Sequence, residues 1–223
     1  MIHWEASNHV LRFLSGDPDR GLVFWRCEVE DDDNIFWYVD SSFAPGAKFF
    51  PLIKPVSVTG ITFNMGGVAV MARSYKQSHV TTSTMESEVD ALHDAVLHAI
   101  YYKAFLLELC IISIDFVFYM MEDNQAAICF SEEEWIKESS KHIHIRYGRV
   151  KECVKEGFIR ALGVASKDQG ADILTKNVSA VLLERLSEKI MGRRVPKDWI
   201  QRLKSGNKRR YNQPSGVTTG LLG

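Results

Sequence analysis

Five short runs of aromatic and β-branched residues constrain the fold of this chain more than any other feature. They lie near residues 35–40, 56–64, 67–73, 115–121 and 158–163. Runs of this length and composition predict strands. The turn Asn64-Met65-Gly66-Gly67 predicts a hairpin between the second and third strands. The first three strands therefore form an antiparallel meander, and the last two alternate with helices, which predicts an α/β domain.

Apolar residues at helical spacing predict the remaining elements. The longest helix begins near Thr82–Thr84, and small alanines on its apolar face predict a close approach to the sheet. The other elements, predicted from periodicity and turn residues, are helices near 3–14, 124–132, 140–156, 178–191 and 196–204, a short helix that carries Asp172, and a strand near 21–27.

Four acidic residues stand where a predicted strand ends or a helix begins. Asp40 closes the first strand, Asp123 follows the fourth, Glu88 lies in the first turns of the long helix, and Asp172 lies in the short helix after the fifth strand. Any one of them alone is more often a helix cap or a solvated charge. Together, carboxylates gathered at one end of a sheet supply the ligands that a pair of hard divalent cations needs. The pattern predicts a metal-dependent phosphoryl-transfer enzyme.

Ordered motifs around these acids resemble a known family. The motifs are Leu11-Arg12-Phe13-Leu14, Tyr38-Val39-Asp40, Ser83-Thr84-Met85-Glu86-Ser87-Glu88, Asp123-Asn124-Gln125-Ala126-Ala127-Ile128, Lys141-His142-Ile143-His144-Ile145-Arg146-Tyr147 and Ala171-Asp172-Ile173-Leu174-Thr175-Lys176. Between about residues 11 and 176, their order is similar to that of the ribonuclease H domain of copia-type LTR retrotransposon Pol polyproteins. The last motif matches the A-D-I-L-T-K of that family residue for residue.

The resemblance implies an α/β ribonuclease H-like fold with a five-stranded mixed sheet flanked by helices. It also implies hydrolysis of the RNA strand of RNA–DNA hybrids with two Mg²⁺ ions, for which Mn²⁺ can substitute. Asp40 is expected to bridge both ions, Asp172 to complete the site that activates water, and Glu88 with Asp123 to hold the other ion. The reverse transcriptase of the same polyprotein is an expected partner.

The glutamate ligand is a choice between two residues. In ribonuclease H folds the catalytic glutamate is followed three positions later by a small residue, as Glu88 is by Ala91. Glu86 has Val89 at that place. We therefore expect Glu88 to be the ligand and keep Glu86 as the alternative.

Five further residues are candidates for substrate binding. Asn124 and Gln125 can donate hydrogen bonds to, and accept them from, 2′-hydroxyl groups, although a helix cap and a solvent-facing amide are equally good interpretations. Lys141, His142 and Arg146 form a basic segment suited to phosphate contacts, although a basic helix face is more often merely solvated.

The motifs divide the chain into four segments. Residues 1–33 are interpreted as a linker from the reverse transcriptase, 34–176 as the ribonuclease H-like domain, 177–205 as a helical appendage and 206–223 as a disordered tail.

Composition is consistent with these interpretations. The net charge of −1 means that attraction to nucleic acid must be local. The four cysteines have no C-x-x-C spacing and are expected to be reduced core residues of an intracellular protein, in the cytoplasm or nucleus. No signal peptide or membrane span is expected from the sequence.

Two other functions remain open at this stage. One is a catalytically decayed or co-opted module that keeps the fold and binds nucleic acid or a partner. The other is an integrase-like strand-transfer enzyme, against which a glutamate on the first long helix and a fourth acid argue.

Overall fold

A computed structural model describes residues 2–16, 21–24, 35–45, 54–133 and 144–192. One mixed sheet organises these residues, and its strand order is β3-β2-β1-β4-β5. The strands are β1 (Ile35–Ser42), β2 (Val58–Met65), β3 (Val68–Lys76), β4 (Phe118–Glu122) and β5 (Ile159–Gly163). The first three pair antiparallel, whereas β4 pairs parallel with β1 and β5 pairs parallel with β4. The predicted five-stranded ribonuclease H-like sheet is confirmed.

Six helices accompany the sheet within the described ranges. They are α1 (Ile2–Gly16), α2 (Thr84–Glu108), α3 (Gln125–Glu132), α4 (His144–Lys155), α5 (Asp172–Thr175) and α6 (Ala180–Ile190), and a 3₁₀ turn at Ser166–Asp168 precedes α5. No helix in this part of the chain combines the length and apolar composition that crossing a membrane requires.

Strand β1 lies between β2 and β4 and is buried on both faces, because a core cluster packs on each face. Trp37 and Val39 join the larger core cluster, which includes the α2 residues Ala91, Leu92, Ala95, Val96 and Ala99. Phe36 and Tyr38 join a smaller cluster with Met121, Leu162 and Ala171. A strand that is covered on both sides has a continuous apolar sequence, as this one has, and does not alternate with polar residues. Asp40, two residues before the end of β1, is thereby held in the centre of the sheet.

The hairpin between β2 and β3 is confirmed. Gly66 and Gly67 both have positive φ, 63° and 78°, as a two-residue turn that matches the twist of its strands requires. β3 continues to Lys76, three residues beyond the predicted end.

Two predicted strand assignments are wrong in part. Residues 21–24 form no strand: the Val23 amide donates to the Met191 carbonyl at 2.9 Å, and Met191 in turn bridges to Val68. Strand β4 begins at Phe118 and not at residue 115. The Phe116 amide is used in a turn with Ser113, and its carbonyl accepts from Lys103 Nζ at 3.0 Å, so neither group is available to a neighbouring strand.

The cysteine prediction is also wrong in part. Cys153 is buried, but Cys110 and Cys129 are exposed, and all three are free thiols. Cys110 follows the end of α2 with a φ of 55°, and Cys129 accepts a hydrogen bond from Gln125 on the open face of α3. Cys27, the helix predicted near 196–204 and the tail predicted at 206–223 lie outside the described residues.

Candidate metal centre

Strand register brings Asp40 and Asp123 to the same level of the sheet. Tyr38 of β1 is paired with Met121 of β4 in parallel. Each aspartate lies two residues after its member of that pair, so both lie toward the carboxyl ends of neighbouring parallel strands. Asp123 directly follows β4, but Asp40 does not close β1 as predicted, because Ser41 and Ser42 continue its pairing with β2. The carboxyl ends of the strands are where α/β sheets usually carry their functional groups.

Helix α2 carries Glu88 to the same end of the sheet. Its N-cap is Ser83, whose hydroxyl accepts from the Glu86 amide at 3.1 Å. The Glu86 carboxylate turns back outside the helix and accepts from the Thr82 amide at 2.6 Å and the Thr82 hydroxyl at 2.7 Å. Glu88 is 3% exposed. The structure therefore favours Glu88 over Glu86 as the residue that faces the site.

Carboxylate oxygens of Asp40, Glu88 and Asp123 all lie within 4.8 Å of one another. Asp40 and Glu88 are buried, and Asp123 is half-buried. Three of the four predicted acids thus converge on one point at the carboxyl ends of β1 and β4.

Asp172 stands beside this group and is joined to it through a lysine. It is the first residue of α5 and is 6% exposed. Lys176 Nζ lies 2.7 Å from Asp172 Oδ1 and 2.9 Å from Asp40 Oδ1. The Thr175 hydroxyl donates to the other oxygen of Asp40. The Asp40 carboxylate is therefore bound by two side chains of the segment that carries Asp172.

Gly60 allows α5 to approach so closely. It is the partner of Asp40 across the β1–β2 ladder. A Cβ atom at this position would lie 2.6 Å from Thr175 Cγ2 and 3.0 Å from Leu174 Cβ. The missing side chain is what lets α5 pack on β2 next to Asp40.

Gln169 is a positioning residue that the sequence analysis missed. It is fully buried, and its Nε2 donates to the Val39 carbonyl at 2.8 Å and the Met121 carbonyl at 3.1 Å. It therefore holds the segment that precedes Asp172 against the ends of β1 and β4. The sequence signal for it was weak, because a glutamine in a polar turn is usually solvated.

Glu122 is a fifth acid at this end of the sheet, and the sequence analysis missed it as well. It is fully buried at the end of β4, and its Oε1 accepts from the Asn124 amide at 3.0 Å. Its Oε2 has no hydrogen-bond partner within the described residues. The two consecutive acids at the end of an apolar strand were the available signal.

Burial dominates the electrostatics of the site. It raises the pKa of Asp40 to about 6, although Lys176 and Thr175 act in the opposite direction. Burial, with the nearby Asp40 charge, raises the pKa of Glu88 to about 8. Burial and the charge of Glu88 also raise the pKa of Glu122 well above its usual range. Desolvation and like charge both disfavour the ionised form of these carboxyl groups. A bound cation would favour that form, so the site is suited to bind one.

The donor set fits a hard divalent cation. Every side chain in the three-carboxylate group offers oxygen, which Mg²⁺ and Mn²⁺ prefer. Glu88 Oε2 is a buried oxygen without a hydrogen-bond partner in the described residues. An unpaired buried carboxylate oxygen is costly, and a metal ion would complete its coordination.

The residues predicted to bind substrate do not form one cluster in the described part of the chain. Asn124 caps α3, with its Oδ1 accepting from the amides of Ala126 and Ala127 at 2.9 and 3.2 Å. Gln125 is exposed at the start of that helix. Arg146 belongs to the first turn of α4. Lys141 and His142 lie outside the described residues.

Sequence comparison connects this site with known proteins. The chain is 31% identical to the retrovirus-related Pol polyprotein from transposon TNT 1-94 of Nicotiana tabacum, over 79% of its length. It is 29% identical to the corresponding polyprotein from transposon RE2 of Arabidopsis thaliana, over 87% of its length. The chain is similar in sequence to retrotransposon Pol polyproteins, as its motifs predicted.

The match covers a small part of these relatives. The chain spans 12% of the TNT 1-94 polyprotein and 13% of the RE2 polyprotein. No protein-family model matches the chain. Among solved structures, ribonuclease H1 from Halobacterium salinarum aligns with a TM-score of 0.45 and 18% identity, covering 63% of this chain and 92% of that protein.

Proposed function

We propose that this domain of the Pol polyprotein hydrolyses the RNA strand of RNA–DNA hybrids by two-metal-ion catalysis. The convergence of Asp40, Glu88 and Asp123 within 4.8 Å is the observation that carries the proposal. Kinship with retrotransposon Pol polyproteins supports the choice of nucleic acid as substrate.

Each acid has a role in this proposal. Asp40 contributes to both halves of the site, Glu88 and Asp123 hold one ion, and Asp172 completes the binding of the other. Two bound Mg²⁺ or Mn²⁺ ions would supply charge stabilisation for the attacking and leaving oxygens of an in-line displacement. The role of the protein is to hold the carboxylates in place at the carboxyl ends of β1 and β4, through the β1–β4 register and the Gln169 contacts.

Recognition of the hybrid would use residues beside Asp123. The Oδ1 atom of Asn124 accepts hydrogen bonds in the helix cap, so the Nδ2 amide group of this side chain is the part available to a 2′-hydroxyl. Gln125 is exposed next to it. Lys141, His142 and Arg146 are proposed phosphate contacts, and the reverse transcriptase of the same polyprotein is the proposed protein partner.

A cleavage assay on a labelled RNA–DNA hybrid tests the proposal. We expect cleavage of the RNA strand with Mg²⁺ or Mn²⁺, and none with EDTA. Single-stranded RNA and a DNA duplex of the same sequence are the matched substrates, and both should remain intact.

The binding-module alternative predicts a different result in the same assay. The hybrid would be bound but not cut, at any concentration of Mg²⁺ or Mn²⁺. Strand joining with a DNA duplex would instead indicate the integrase-like activity. Either result would contradict the nuclease proposal.

A further inference from the structure

Lys176 places a positive charge between two carboxylates of the site. Its Nζ lies 2.9 Å from Asp40 Oδ1 and 2.7 Å from Asp172 Oδ1. The Asp40 side chain is fully buried, whereas the Lys176 side chain is 38% exposed. The lysine stem therefore reaches from the surface inward, and only its end contacts the acids.

The two halves of the site differ because of this contact. Asp40, Glu88 and Asp123 form a three-carboxylate group, and within the described residues neither Glu88 nor Asp123 is in an ion pair. The other half consists of Asp40 and Asp172, and the lysine ammonium already joins them. In one half, two of the three carboxylates, Glu88 and Asp123, have no ion pair in the described residues, whereas in the other half both carboxylates contact the same ammonium.

An ammonium and a divalent ion cannot share the second half. An Mg²⁺ ion held by both Oδ1 atoms would lie about 2.0–2.1 Å from each of them. The Nζ atom lies within 3 Å of both oxygens, so the two cations would occupy overlapping space and repel each other. The lysine must leave before an ion binds between Asp40 and Asp172.

We propose that Lys176 is a positioning residue that stands in for the second metal ion and makes the two ions bind in order. This inference rests on the proposed function. The first ion binds at Asp40, Glu88 and Asp123. The ammonium holds Asp40 and Asp172 together until it swings out along its exposed side, and the second ion then takes its place. A nucleic-acid phosphate gives the displaced ammonium a new partner, so that substrate arrival favours loading of the second ion.

Mn²⁺ binding without nucleic acid tests this order, by calorimetry and by the magnetic-resonance signal of a coupled ion pair. We expect the wild-type protein to bind one ion and to bind the second at least tenfold more weakly. Lys176→Met keeps the stem and removes the charge, and should bind the second ion at least tenfold more tightly than wild type. Lys176→Arg keeps the charge and should bind it as weakly as wild type.

Lys189→Met is the matched control. Lys189 Nζ forms an ion pair with an aspartate, 2.6 Å from Asp168 Oδ1, but this aspartate is not one of the proposed metal ligands. This variant should bind Mn²⁺ as wild type does. If Lys176→Met does not give the circular dichroism spectrum of a folded protein, Lys176→Gln replaces it in the same titration.

The outcomes separate this inference from the proposed function. If wild type and the charge-removing variant bind the second ion equally, the role of Lys176 is wrong and the nuclease proposal stands. If the wild-type protein binds no Mn²⁺ and does not cleave the hybrid, both proposals are overturned. A second ion that binds more tightly in Lys176→Met but not in Lys176→Arg supports the stand-in role.

Discussion

Buried charge determines what each acid of the site contributes to stability. Asp40 is fully buried and has a raised pKa, whereas Asp168 lies at the surface of the same domain in ion pairs with Arg185 and Lys189. Burial alone would raise the pKa of Asp168, but the hydrogen bonds from Lys189 and Arg185 lower it. The charged form of Asp40 is therefore disfavoured by folding, and that of Asp168 is favoured.

Asp40→Asn should abolish hybrid cleavage and leave the fold intact. The neutral amide does not bear the desolvation cost of the carboxylate, so we expect the free energy of unfolding without metal at pH 7 to rise by roughly 1 kcal/mol, where one pKa unit is worth about 1.4 kcal/mol. Urea denaturation and the cleavage assay are the measurements. A variant that unfolds, or that cleaves at the parental rate, would show that the role assigned to Asp40 is wrong.

Asp168→Asn is the control and should behave in the opposite way. It loses its two ion pairs, each with an N–O distance of 2.6 Å, and should be destabilised by about 1 kcal/mol. Because Asp168 is outside the metal centre, this variant should keep hybrid cleavage.

The raised pKa values also predict how stability depends on pH without metal. The pKa of Asp40 rises from 3.8 to about 6 and that of Glu88 from 4.5 to about 8 on folding. The folded state therefore holds more protons than the unfolded state between about pH 4 and pH 8, and the stability from these two groups falls as pH rises through that window.

Urea midpoints in EDTA, measured across that range, test this prediction. The same series on a double variant, Asp40→Asn with Glu88→Gln, should show a flatter pH dependence, since neither group then titrates. If the two profiles are parallel, the acids do not have the raised pKa values.

How far the sequence predicts the site depends on the range of the interactions. Asp40, Glu88 and Asp123 could be found because each lies at the end of an element whose period is visible locally. Lys176 and Gln169 could not be given their roles from the sequence. The contact of Lys176 with Asp40 spans 136 residues and that of Gln169 with Val39 spans 130, and only tertiary packing brings these residues together.

Among the elements, the sequence predicts type and order better than bounds. β1 and α2 are found close to where they were predicted, because each has a long and unbroken apolar pattern. β4 is shorter than its apolar run because Lys103 and a local turn use the polar backbone groups of Phe116. Val23 makes one backbone bond to Met191 where a strand was expected. In both places a backbone group has a partner that the local apolar pattern does not reveal.

Packing of α5 on β2 gives a prediction at this scale. Gly60→Ala places a Cβ atom 2.6 Å from Thr175 Cγ2, so α5 must shift away from the sheet. Overpacking of this kind should cost roughly 1–3 kcal/mol. It should also reduce cleavage, because the shift moves Asp172 from Asp40. Urea denaturation and the hybrid assay measure the two effects.

Gly148→Ala is the matched control, because nothing lies within 4 Å of a Cβ atom there. This glycine lies inside α4, where alanine should stabilise the helix by about 0.5–1 kcal/mol. Cleavage should not change. Two variants that lose stability to the same extent would show that Gly60 has no special packing role.

Across the whole molecule, the site depends on the complete fold. Its acids come from β1, α2, the end of β4 and α5, and these elements are spread over more than a hundred residues of the chain. No one of them can hold a divalent ion alone, and an unfolded chain does not bring them together. Ion binding should therefore be linked to folding of the domain as a whole.

Mg²⁺ should consequently raise the thermal midpoint. An ion that binds only the folded state stabilises it by RT ln(1 + [L]/Kd), which is roughly 1–3 kcal/mol at about ten to a hundred times Kd. The increase should disappear in a double variant, Asp40→Asn with Asp123→Asn, because it removes two of the three carboxylates whose oxygens converge within 4.8 Å. Ca²⁺ should also raise the midpoint but support little cleavage, because its larger radius and looser coordination misplace the attacking water. A midpoint that does not respond to Mg²⁺, in a protein that does not cut the hybrid, would favour a binding module in which the acids no longer hold metal.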